Sequence, residues 1–182
     1  FLTTMRDRSP QGDGGPLRAE NGKIVSHLMG FLNRTTTLLK LGIRPIYIFD
    51  GDAPELKAEE LASRRARREE AKRVHEEALA AGDFALAQKM APRLMYFSQE
   101  MVDETKQMLD YLGVPWVVAK AEGEGQAAVM AAKGQLDVVA TQDWDALLYG
   151  TPRLVRNLMS DGTKQHGRTV RAQLINLDEM LG

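Results

Sequence analysis

Leu136-Asp137-Val138-Val139-Ala140-Thr141-Gln142-Asp143-Trp144-Asp145-Ala146-Leu147-Leu148-Tyr149-Gly150 carries the reading of the fold. Leu136 to Thr141 is short and largely apolar, as a strand covered on both faces requires. Two acids one residue apart follow it, and Trp144 to Tyr149 reads as a short helix stopped by Gly150. The same order recurs upstream. Ile43 to Phe49 predicts a strand ending at Asp50, and Val114 to Ala119 a strand followed by Glu122 and Glu124. Glu124 to Lys133 then reads as an Ala-rich helix stopped by Gly134. Alternating strands and helices predict an α/β fold with a mostly parallel sheet. If the three runs are neighbours, Asp50, Glu122, Glu124, Asp143 and Asp145 gather at its carboxyl edge, where open α/β folds bind ligands.

Such a crowd of anions repels itself unless protons or cations intervene. All-oxygen donors, with no cysteine and three scattered histidines, favour Mg²⁺ or Mn²⁺ over zinc. An acid near a helix N-terminus also has an ordinary role, complementing the macrodipole by about 0.3–1 kcal/mol. That role suffices for any one of these acids; the set at three strand exits points to a site for phosphate chemistry.

At 182 residues, 43% hydrophobic and 27% charged, the chain suits one soluble globular domain. No apolar run approaches the roughly 20 residues of a membrane span, and no disulfide is possible. The net charge of −1 conceals a basic stretch, Arg64 to Arg73, where six basic residues stand against two acids. Phe1 to Arg6 reads as helix interior and Asn176 to Leu181 as the start of a helix, so both ends are expected to continue.

Outside the strand exits, Ser9 to Gly22 is loop-like, and Ile24, Leu28, Phe31, Thr35, Leu38 and Leu39 recur at helical spacing before a stop at Gly42. Glu55 to Ala80 predicts a long charged helix, broken at Ala80-Ala81-Gly82-Asp83. A second helix is expected to begin between Phe84 and Ser98 and to end at Gly113, with Met101, Thr105, Met108, Leu109 and Leu112 facing the core. Arg153 to Leu158 and Arg168 to Ile175 read as later strands around the turn Ser160-Asp161-Gly162. On the charged helix Lys57, Arg64 and Arg68 share a face, with Arg65 and Lys72 as a second stripe. Such rows can neutralise phosphates without reading base sequence. A solvated face with pairs such as Glu60–Arg64 or Glu69–Arg73 is the ordinary alternative. Trp116 is expected in the core, and Trp144 is placed to pack beneath the acids.

Asp50-Gly51-Asp52 resembles the nucleophile loop of haloacid-dehalogenase-type phosphatases, but Ala53-Pro54 departs from that pattern, so Asp52 is read as a turn residue. A wider resemblance spans nearly the whole chain. Phe49-Asp50-Gly51-Asp52-Ala53-Pro54 with Leu56-Lys57 resembles the FDGxxPxxK segment of flap endonucleases. Glu122-Gly123-Glu124 with Gln126-Ala127-Ala128 is similar to their ExEAQAA motif, and Gln142 to Gly150 to their QDxDxLLFG stretch. Pro152 to Leu158, Ser26-His27-Leu28-Met29-Gly30 and Arg34-Thr35 match as well, and the archaeal branch looks closest.

The resemblance implies a PIN-like 5′ nuclease core over residues 1–182, incomplete at both ends, with 55–113 as an inserted helical arch and return helix. It implies a structure-specific enzyme cleaving 5′-flap or branched DNA in replication and repair, with Asp50, Glu122, Glu124, Asp143 and Asp145 holding two Mg²⁺ ions that Mn²⁺ could replace. Lys57 and Arg64 match the family's basic pair that reaches the scissile phosphate. Arg6, Arg34, Arg65, Arg67 and Arg68 are weaker DNA-contact candidates. A further active-site Asp is expected upstream of Phe1. A helix–two-turn–helix DNA clamp and a sliding-clamp-binding tail are expected beyond Gly182, which predicts little activity for this portion alone. The setting implied is cytoplasmic in an archaeon and nuclear in a eukaryote, with no membrane partner. Gly125 departs from the family's alanine. A small PIN-domain nuclease normally lacks the long insertion, and a non-catalytic DNA-binding fragment would ignore Mg²⁺.

Overall fold

Chain contacts divide the protein into two compact units, Phe1–Pro45 with Glu55–Pro115, and Ile46–Pro54 with Trp116–Gly182. The computed structural model describes residues 14–51, 58–94, 96–165 and 167–181.

The first unit is helical. Helix α1 (Ser26–Lys40) buries Ser26, His27, Gly30, Phe31, Thr35 and Leu38 along one stripe, the periodicity expected of an amphipathic helix. It ends as the sequence predicts, at Gly42, whose φ of 76° a side chain would resist. Leu39, which recurs at the same helical spacing, is exposed. Helix α2 (Ala58–Ala80) is charged nearly all round, and α3 (Phe84–Leu94) returns against it after the turn at Gly82. The seam is made mostly of alanine: Ala71, Ala78, Ala87 and Ala91 are buried with His75 on α2 and Met90 on α3. The single helix expected before Gly113 is in fact two. Ser98 starts α4 (Gln99–Tyr111) by accepting the Met101 N–H at 3.3 Å, the ordinary action of an N-cap serine. Thr105 and Leu109 are buried on α4, while Leu112, expected to face the core, is exposed.

Helix α4 packs on α1, and Glu104 on α4 reaches His27 and Lys23 at that contact. His27 is fully buried, and its Nε2 lies 2.8 Å from Glu104, which also pairs with Lys23. Those partners, Lys23 foremost, hold the Glu104 carboxyl below its ordinary value of 4.5.

The second unit is mixed. Strands β1 (Tyr47–Phe49) and β2 (Trp116–Val118) run parallel, with Phe49 opposite Val118. Helix α5 (Gly123–Ala132) follows β2 and touches both β1 and β3 (Val139–Ala140). Strand β3 leads into α6 (Asp145–Leu148) and pairs in parallel with β4 (Arg153–Arg156). A two-stranded ribbon follows, β5 (Lys164–Gln165) with β6 (Arg168–Thr169). Strand β7 (Gln173–Asn176) then lies antiparallel to β4 and leads into α7 (Leu177–Leu181). Phe49, Ala119, Ala127, Ala128, Val139, Ala146 and Leu154 form the buried core.

The sheet differs from expectation. The chain is mixed α/β and mostly helical, and the described strands form three small sheets: β1-β2, β3-β4-β7 and β5-β6. The strands are short for physical reasons. Pro45 and Pro115 precede β1 and β2 and cannot donate to a ladder. The run Arg168 to Ile175 divides because its ends pair with different strands: Val170 N–H extends the ribbon to Thr163, Ala172 N–H bonds Asp161 Oδ1, and Leu174 and Ile175 lie opposite Val155 and Leu154 on β4.

Candidate metal centre

The five acids all lie in the second unit, at the exits the sequence marks. The parallel ladder continues past the strands: Ala119 N–H donates to Phe49 at 2.8 Å and Gly51 N–H to Ala121 at 2.7 Å. Backbone therefore meets backbone where the chain leaves β1. A Cβ on Gly51 would stand 2.1 Å from the Ala119 carbonyl oxygen, so only glycine fits. That approach sets Asp50 beside the start of α5, where its Oδ1 accepts the Gly123 N–H at 2.7 Å. Gly123 opens α5, so this N–H belongs to the unsatisfied first turn.

A second run of hydrogen bonds links the other acids. Thr141 Oγ1 donates to Glu124 at a long 3.4 Å and accepts the Asp143 N–H at 3.2 Å. Asp143 Oδ1 in turn accepts the Asp145 N–H at 3.0 Å, a side-chain turn that bends the chain into α6. Glu122 receives the Tyr149 hydroxyl from the end of α6. The loop between Asp143 and Asp145 is braced from β4, where Arg156 lies 4.1 Å over the Trp144 ring and donates to the Gln142 carbonyl at 3.1 Å. Trp144 remains half exposed, so it braces the loop from its open side rather than filling space beneath it.

Asp50, Asp143 and Asp145 are exposed, and Glu122 and Glu124 are partly so. Their donor set suits a hard divalent cation, being oxygen throughout. Among the described residues, however, no three acidic or imidazole side chains stand close enough to hold one ion together. The acids are strung along one edge, each held by a neighbour, and are not closed into a cage. Thr141, Tyr149 and Arg156 had not been singled out from the sequence. Each supports a candidate ligand or its loop, a role that depends on packing and carries no local signature.

The basic candidates belong to the first unit. Arg6 and Lys57 lie outside the described residues, as does Asp52. Arg64 pairs with Glu60 at 2.5 Å on an exposed face, while Arg65 and Arg67 are exposed. The Glu69–Arg73 pairing is replaced by Arg73 with Glu70 and Glu77, both at 2.7 Å. Arg68 is partly covered and lies 4.5 Å over the Tyr96 ring. Arg64, Arg67, Arg68 and Arg93 line an open groove of about 780 Å³ along α2 and α3. Arg34 is half-buried on α1 and engaged with other groups.

Two family models match, the XPG N-terminal domain over residues 1–71 and the XPG I-region over 113–182. Flap endonuclease 1 of Pyrococcus furiosus is 45% identical over all of this chain and 54% of its own length. That of Staphylothermus marinus is 43% identical over all of this chain and 52% of its own. The solved flap endonuclease-1 of Methanococcus jannaschii superposes with a TM-score of 0.66 at 43% identity, covering all of this chain and 54% of that one. The catalytic core of Rad2 in complex with DNA substrate shares the fold, with a TM-score of 0.62 at 24% identity over 99% of this chain and 46% of that one. The chain thus spans about half the length of the curated relatives it matches. With both XPG regions present in order, the chain belongs to the XPG and flap endonuclease family, as a homologue of flap endonuclease 1.

Proposed function

We infer that this chain is the metal- and flap-handling portion of a structure-specific 5′ nuclease, acting on 5′-flap or branched DNA. The observation that supports this most is the hydrogen-bonded string of acids at the strand exits, held in part by main-chain N–H groups. Asp50, Glu122, Glu124, Asp143 and Asp145 would hold two Mg²⁺ ions, with Mn²⁺ able to replace them. Bound there, such ions supply Lewis acidity toward a phosphodiester. Asp50 and Asp143 contribute carboxylates already oriented by the Gly123 and Asp145 N–H groups. Lys57 and Arg64 are the cations for the scissile phosphate, and Arg65, Arg67 and Arg68 guide the strand backbone along α2. Arg6 and Arg34 are lesser contacts.

Residues 55–113 serve in this reading as the helical arch on a PIN-like core, and the whole protein works in replication and repair. Arg64 is free to change partner, because an exposed ion pair such as Glu60–Arg64 contributes only about 0–1 kcal/mol. One observation favours a second reading, a DNA-binding portion without catalysis: the four-arginine groove of α2 and α3 is formed, whereas the acids do not converge.

The test is a 5′-labelled flap duplex with Mg²⁺ or EDTA, run with the chain and with Asp143→Asn on denaturing and native gels. The expected result is Mg²⁺-dependent cutting near the junction that is weak or absent in the chain alone, appears once the relatives' flanking segments are fused on, and is lost with Asp143→Asn. Binding that ignores both Mg²⁺ and Asp143→Asn, with no cutting even after the relatives' flanking segments are fused on, overturns the nuclease reading in favour of the second.

A further inference from the structure

We propose that Tyr149 is a positioning residue for the candidate metal centre, its hydroxyl fixing the Glu122 carboxylate in the orientation a divalent cation requires. The inference rests on reading Glu122 as a metal ligand. It starts from a departure in the sequence: the family stretch QDxDxLLFG has phenylalanine where this chain has Tyr149. The structure gives the added oxygen a task, since the hydroxyl donates to Glu122 Oε2 across 27 positions of chain.

The geometry makes that bond reproducible. Tyr149 sits at the C-terminal end of α6, and its N–H donates back to Asp145 at 3.2 Å. Its ring lies over Gly125 on α5, where an added Cβ would meet ring carbons at 3.5 and 3.6 Å. Helix α6 packs on α5, so two elements fix the ring before the hydroxyl reaches its acceptor. Glu122 itself occupies the N-cap position of α5 and makes no capping bond with its side chain, so helix formation does not orient it. A donor from outside the helix does. The bond engages Oε2, and Tyr149 also lines, with Lys120, Glu122 and Gln126, an open hollow of about 340 Å³ at this edge.

Hydrogen-bond partners of ligating carboxylates fix their orientation and basicity, and removing one weakens metal binding about 10–100-fold. Tyr149→Phe isolates the effect, because it keeps the ring against Gly125 and deletes only the donor. Mn²⁺ binding, followed by the loss of the free-ion EPR signal, is compared for the parent chain, Tyr149→Phe, Glu122→Gln and the double variant, with circular dichroism verifying the fold.

The expected result is about a tenfold weaker affinity in Tyr149→Phe, a loss at least as large in Glu122→Gln, and no further loss on combining them. Unchanged affinity in Tyr149→Phe beside a weakened Glu122→Gln overturns the positioning role and leaves the metal reading standing. Parent-like affinity in Glu122→Gln, or no Mn²⁺ binding by the parent, overturns both. A role in packing alone predicts that the phenylalanine variant binds like the parent.

Discussion

The acids of the second unit and the arginines of α2 are both charge clusters, yet they are held by different means. Asp50 and Asp143 accept main-chain N–H groups from Gly123 and Asp145, so their positions follow the backbone. Arg64 and Arg73 are held by carboxylates three or four residues away on the same exposed helix. A charged side chain bonded to the backbone stays in place without its ligand. One bonded to another mobile side chain can exchange its partner for a phosphate at little cost. The difference matches the two tasks proposed, since a metal needs fixed donors and a passing strand needs adaptable ones.

The largest effect that could break this comparison comes from the close approach behind Asp50. Gly51→Ala drives a Cβ to 2.1 Å from the Ala119 carbonyl, and neither backbone can move without breaking the Gly51–Ala121 bond. A loss of about 3 kcal/mol is expected on urea unfolding. Trp116 and Trp144, the chain's two tryptophans, both lie in this unit and report it by fluorescence. Arg65→Ala on α2 should cost less than about 0.5 kcal/mol. Equal costs would refute the claim that backbone contacts hold the acidic edge.

Asp143 offers a sharper division. Asp143→Asn keeps an acceptor for the Asp145 N–H and removes the charge, whereas Asp143→Ala removes both. Both should weaken Mn²⁺ binding by about 100-fold, the upper range for a supporting group and a reasonable floor for a direct ligand. Only the alanine variant should also lose about 1 kcal/mol of stability. A stable Asp143→Ala would mean that the side-chain turn does not shape the loop.

The first unit has its own fixed charge in Glu104. Its carboxyl titrates below its ordinary 4.5 in the folded protein, chiefly through Lys23 and then His27. The unfolded chain therefore binds the proton first. The contribution to stability is complete above about pH 4.5 and is lost as pH falls through the lower folded value. Lys23 titrates above its ordinary 10.5, so its share is complete below 10.5 and is lost as pH rises through the higher folded value. Thermal unfolding followed at 222 nm should show a plateau between these limits. Glu104→Gln should flatten the acid limb, and an unchanged limb would assign acid sensitivity elsewhere.

How much of this was readable in advance depended on range. Helix α1, its stop at Gly42 and the acids after β1, β2 and β3 follow from local periodicity and strand-exit chemistry, which short stretches express. The break at Ser98 was also local, a capping serine that the longer apolar pattern on either side obscured. Strand lengths and the division into three small sheets were not local, because pairing depends on partners distant in sequence. The braces on the acids were the least visible. Tyr149 reaches Glu122 over 27 positions and Arg156 reaches Gln142 over 14, through contacts that only the packing of α6 and β4 creates.

The smallest expected effect tests the mobile side of the comparison on α2 itself. Among the described residues Arg64 pairs with Glu60, while Arg73 is clasped by both Glu70 and Glu77 and titrates above its ordinary value because of them. An arginine already neutralised on its own helix releases few counterions from DNA. Arg64→Ala should therefore lower the slope of log affinity against log salt for a single-stranded oligonucleotide by about 0.7, the value for one phosphate contact. Arg73→Ala should lower it by less, and filter binding at four salt concentrations resolves the two. Equal slopes would mean that the acids on α2 yield to phosphate wherever they sit, so pairing along the helix would not select which arginines meet the strand.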